Sequence, residues 1–137
     1  MLIVLSGLPG VGKTTMAREL ARTLSAVHVR IDSIEQALRD AGVEVEAEGS
    51  RVTRDEWRAI AEKSGVPVLE VELVCGAAAE HRRRVESRAA DFAGLQVPTW
   101  QQVLDRDYRP WTRPRLVIDT ARLSVGASVE TILSAIV

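Results

Sequence analysis

The stretch MLIVLSGLPGVGKTTMARELARTL, residues 1–24, decides how this chain folds. Met1 to Leu5 are uninterruptedly apolar, the pattern of a buried strand, while Ala17, Leu20, Ala21 and Leu24 return at helical spacing. Between them Gly7 to Thr14 match GxxxxGK[ST]. A backbone that wraps phosphate groups with its own N–H donors needs glycine where it approaches them closely or takes positive φ. In that pattern Lys13 reaches the β- and γ-phosphates and the Thr14 hydroxyl is placed for a metal. The helix that follows adds its N-terminal dipole and unpaired N–H groups. Gly7, Leu8, Pro9, Gly10, Val11, Gly12, Lys13, Thr14 and Thr15 are therefore the expected nucleotide contacts. ATP and Mg²⁺ are the expected ligands, with Thr14 as the metal-binding residue.

Working outward, 137 residues with 46% hydrophobic content suit one compact domain over 1–137. A net charge of −1 supplies no overall basic field, so nucleic acid or an anionic membrane would have to be met by a local patch. Among the 18 basic residues only Lys13 and Lys63 are lysines, and the rest are arginines. The lone Cys75 excludes a disulfide framework and reads as a buried, inert thiol. The apolar start is too short for a membrane span and lacks the basic flank of a secretory signal, so cytoplasm is the expected compartment.

The order of elements predicts an α/β fold with a parallel sheet. Val27 to Ile31 reads as a second strand ending at Asp32. Asp32-Ser33-Ile34-Glu35 then reads as a capping signal for a helix with Ile34, Ala37, Leu38 and Ala41 inward. Thr53-Arg54-Asp55-Glu56 is a capping box before a helix with Trp57, Ile60 and Ala61 inward, stopped at Gly65. Val68 to Val74 follows as a strand. Its Glu70 and Glu72 share one face, which suggests an edge or an incompletely covered side. A charged helix over about 77–90, a short helix capped at Thr99-Trp100-Gln101-Gln102, a last strand at Arg115–Asp119 and a helix from Ser128 to Ile136 complete the chain.

Several polar residues could act on a bound nucleotide. Asp32, at the carboxyl edge of the sheet, could take a proton from a hydroxyl aimed at the γ-phosphate, or merely cap its helix. Arg84 and Arg88, four apart on a helix, could close over the triphosphate; the alternative is a solvated, salt-bridged helix. His81 reads as a surface residue. Trp100, Tyr108 and Trp111 fit core or lid packing better than base stacking. Asp119 is expected to order the turn after the last strand, where Thr120 and Arg122 could flank an adenine.

With GLPGVGKTT at 7–15, VRIDS at 29–33, EHRRRVESR at 80–88 and LVIDTARLS at 116–124, the chain resembles the small P-loop kinases and kinase-like ATPases of the nucleoside monophosphate kinase type. That group includes shikimate and gluconate kinases, chloramphenicol phosphotransferase and the kinase domain of polynucleotide kinase. The resemblance implies a three-layer P-loop NTPase fold and a kinase moving the ATP γ-phosphate to a small-molecule hydroxyl. It also implies Lys13, Asp32, Arg84 and Arg88 as catalytic residues and Thr120 to Ser124 as the adenine loop. One interval departs from the pattern. Only Val43 to Val52 stand where the group has a helix and a central strand beside the loop strand, so the fold is expected to be short by that pair. A weak or inactive ATP-binding regulatory module is therefore the alternative. A polynucleotide 5′-hydroxyl kinase, with Arg82, Arg83, Arg106 and Arg109 as its groove, is possible but not favoured. No membrane partner is expected, and the acceptor and oligomeric state are open.

Overall fold

The computed structural model describes residues 1–43, 54–89, 93, 94, 96–109 and 111–136. Its elements run β1 (Leu2–Ser6), α1 (Lys13–Leu24), α2 (Ile31–Asp40), α3 (Arg54–Lys63), β2 (Val68–Val74), α4 (Ala78–Glu86), α5 (Trp100–Leu104), β3 (Leu116–Asp119) and α6 (Val125–Ile136). The strands form one parallel sheet in the order β1-β2-β3, with Leu5 opposite Val71 and Leu73 opposite Ile118.

The two faces of β2 are chemically opposite. Val71 and Leu73 point into a core with Met16 and Leu20 of α1, Ile118 of β3, and Val129 and Ile132 of α6. Alternation along the strand sends Glu70 and Glu72 to the other face, where α3 lies. Expected to mark an edge or an open side, these glutamates instead sit on the central strand, 5% and 7% exposed. Arginines make this possible. Arg113 grips both carboxylate oxygens of Glu70 and also reaches Asp55, Arg58 stands 3.4 Å from Glu70, and Arg115 donates twice to Glu72 at 2.9 and 2.7 Å. The Arg113 hydrogen bond holds the Glu70 carboxyl below its ordinary range. Trp111 covers the cluster, with the Arg54 guanidinium 4.1 Å from its ring centroid and its indole N–H donating to Tyr108 at 3.3 Å. Tyr108 and Trp111 are half-buried here and lie outside the hydrophobic core.

Thr99 and Gln102 form the reciprocal capping box read from sequence, and Gly65 ends α3 with φ +64°. Other expectations fail. Val27 to Ile31 is not a strand: residues 26–30 are irregular and α2 already begins at Ile31. Among the described residues β1 has a neighbour on one side only, so this β-branched run has no described backbone to pair with, and Val27 is 89% exposed. Glu44 to Val52, most of the shortened interval, and the cap residue Thr53 lie outside the described residues.

Two helices lose the inward faces their periodicity promised. No residue of α2 is buried, and Ile34 and Leu38 remain exposed. On α3 Ala61 is buried, but Ile60 is 53% exposed. Cys75, expected buried, is half-buried against the core edge.

Because Glu70 is desolvated and doubly served, removing its main partner strands a charge. Arg113→Ala should lower the urea unfolding free energy by about 3 kcal/mol, and replacing Glu70 and Arg113 together by leucine should recover most of that loss.

Candidate functional site

Residues 7–12 connect β1 to α1, and the glycines are where contact demands them. At Gly7, φ is +149° and a Cβ would lie 2.4 Å from the Leu73 carbonyl oxygen. At Gly10, φ is +82° and a Cβ would lie 2.6 Å from Val85 of α4. The loop is thus pressed between β2 and α4, and no side chain fits on either contact. Helix α1 starts at Lys13 behind Gly12, with no side-chain cap and no acidic residue in its first turn. Its first N–H groups are therefore offered to a ligand rather than to the chain's own side chains.

Lys13 curls back over this cradle and donates to the carbonyls of Gly7 and Leu8, both at 2.8 Å. Burial above all, helped by the positive charge of Arg88, Arg106 and Arg30 and opposed by Asp32, lowers its pKa to about 8. Arg88 thus lies within electrostatic reach of the loop. Asp32 occupies the first turn of α2 and is not its N-cap, which is Arg30. Its carboxylate is 57% exposed and stands 3.5 Å from the Arg30 guanidinium. A groove of about 640 Å³ runs along β1 and brings Lys13, Thr14, Arg30 and Asp32 together at one end.

Arg84 and Arg88 part company. The helix expected over about 77–90 ends at Glu86, so Arg88 lies beyond α4 and the two do not share a helical face. Arg84 spans from α4 to the loop after β3. It donates to Glu80 at 2.8 Å, to the Thr120 hydroxyl at 2.9 Å and to the Thr120 carbonyl at 3.0 Å. The Thr120 hydroxyl in turn lies 2.8 Å from the Val11 carbonyl and 3.1 Å from that of Val74. Thr120 therefore joins the last strand to the glycine loop. Arg122 points to solvent, 86% exposed and 3.7 Å from Asp119. Asp119 orders its turn as expected: one oxygen accepts from the N–H groups of Gly76 and Ala121, and these bonds hold its carboxyl below the usual range.

His81 was misplaced by the sequence reading. It is 6% exposed, its Nε2 lies 2.7 Å from the Pro9 carbonyl oxygen, and its ring meets Trp100 edge-on at 5.1 Å. Its i,i+4 partner Val85 was the available signal, obscured by the surrounding charges. Arg30 and Arg106 were missed as neighbours of Lys13; Arg106 is remote in sequence and carried no local sign. Among the described residues no group of three or more His, Cys, Asp and Glu could hold a metal, and no helix is long and apolar enough to cross a membrane.

The lowered pKa of Lys13 has a signed consequence. Between about pH 8 and 10.5 the folded chain has released this proton while the unfolded chain retains it. The residue's contribution to stability therefore rises with pH across that window. Lys13→Met should be more stable than the unaltered protein at pH 7, by about 3 kcal/mol at most, with the difference shrinking toward pH 10 in paired denaturant titrations.

Residues 2–53 match a family model described as an AAA domain. No curated protein matches the chain. The match spans β1, the glycine loop, α1 and α2. Together with the parallel sheet it gives the chain a P-loop NTPase-type α/β fold and supports a nucleotide-binding role for the loop.

Proposed function

We propose that this protein binds ATP at residues 7–15 and transfers its γ-phosphoryl group to the hydroxyl of a small molecule. The observation that carries this reading is the meeting of Lys13, Thr14 and Asp32 at the end of one groove, beside an uncapped helix N-terminus. The backbone from Gly7 to Gly12 and the first turn of α1 would hold the phosphates. Lys13 would leave the Gly7 and Leu8 carbonyls to neutralise charge on the β- and γ-phosphates. Thr14 would hold Mg²⁺, which when bound balances phosphate charge; the start of α1, with no side-chain cap and no acidic residue in its first turn, fits this metal–nucleotide pair.

Asp32 would accept the proton of the acceptor hydroxyl as that oxygen bonds to the γ-phosphorus and ADP departs with the electrons of the broken P–O bond. Arg88, whose charge reaches Lys13, is the arginine better placed to oppose the developing negative charge. Arg84 would act from the side through Thr120. Catalysis of this kind is positioning and electrostatics.

A binding module with little turnover is the second reading. It is favoured by the place of β1, which has no partner among the described residues on the side of the groove, so acceptor contacts are supported from fewer elements. Incubation with ATP, Mg²⁺ and a panel of hydroxyl compounds separates the two: acceptor-dependent ADP release supports the kinase, and tight ATP binding without release supports the module. Lys13→Ala should abolish transfer with the fold retained, and undiminished turnover would sink the mechanism. Asp32→Asn should lower kcat by about 100-fold or more while changing ATP affinity little; equal loss of both would make Asp32 structural.

A further inference from the structure

We infer that His81 is a positioning residue for the phosphate loop, setting the direction of the Gly10 N–H from behind. This rests on the phosphate-site reading above. The Pro9 carbonyl can only accept, so the 2.7 Å contact requires a proton on His81 Nε2. No peptide bond among the described residues is cis, and in a planar trans peptide C=O and N–H point in opposite directions. Holding the Pro9 carbonyl toward α4 therefore aims the Gly10 N–H away from α4, toward the open side of the loop.

The imidazole is itself fixed. It is buried, it meets Trp100 at an interplanar angle of 81°, and Trp100 belongs to a helix closed by a reciprocal capping box. Val85, one turn along α4, backs the same peptide, so a side chain at Gly10 would strike it. Helix α4 thus presents a donor and a wall to one peptide unit. The unit keeps its orientation before any ligand arrives, and a phosphate oxygen need not spend binding energy turning it.

The test compares His81→Phe, which keeps a ring but loses the donor, with His81→Gln, which keeps a donor at similar reach. His81→Leu is carried in parallel should the phenylalanine variant fail to fold. Mg·ADP affinity is measured by calorimetry and thermal stability by melting. The Gly10 amide resonance is followed without nucleotide. The expected result is ADP affinity about tenfold weaker in the phenylalanine or leucine variant, with a displaced Gly10 amide, and affinity within about threefold of the unaltered protein in the glutamine variant. ADP binding within about twofold of the unaltered protein in His81→Phe or His81→Leu, whatever the melting temperature, would overturn the positioning role alone. Failure of the unaltered protein to bind ADP would instead remove the phosphate-site reading, and this inference with it.

Discussion

The rest of the structure depends on a backbone contact: Gly7 lies so close to β2 that a methyl group there would stand 2.4 Å from the Leu73 carbonyl. That approach lets the chain leave β1 and turn over the sheet instead of continuing along it. It delivers Lys13 to the start of α1 and brings Val11, in the loop, into the core with Met16 and Leu73. The loop is consequently part of the hydrophobic interior on one side and open on the other. Such a loop can be rigid without a ligand, because its apolar residues are anchored by packing and its polar groups by Lys13, Thr120 and His81.

Those three anchors come from different parts of the chain and act on different carbonyls. Lys13 covers Gly7 and Leu8, His81 meets Pro9, and Thr120 meets Val11. Four successive or near-successive carbonyl oxygens thus have partners. Only Lys13 is a long, flexible cation that a triphosphate can draw away; of the other two, His81 is buried and Thr120 is half-buried with three hydrogen-bond partners at its hydroxyl. The ligand's arrival would therefore rearrange one anchor and leave two.

The glycine loop, its flanking strand and helix, the Thr99 cap and the strands at 68–74 and 116–119 were legible because each is specified by neighbours in sequence. What was not legible depended on partners elsewhere. Val27 to Ile31 has strand-like composition, yet a strand exists only where another backbone answers it. Glu70 and Glu72 looked exposed because acidic residues on a central strand are costly unless paired, and their partners Arg113 and Arg115 lie 43 residues away. His81 looked like surface because it stands in a run of charges, while one face of that helix turns inward.

The use of arginine explains how a chain of net charge −1 can present a cationic site. Arg58, Arg113 and Arg115 are committed to the two glutamates of β2, Arg82 to Glu86, Arg83 to Glu80, and Arg84 to Glu80 and Thr120. The acidic charge of β2 and of α4 is thus locally balanced. Burial is the main cause of the lowered Lys13 pKa, and the charges of Arg88, Arg106 and Arg30 add to it while that of Asp32 opposes it. A polyanion bound beside Lys13 would meet this local positive field, which the net charge of the whole chain does not reveal.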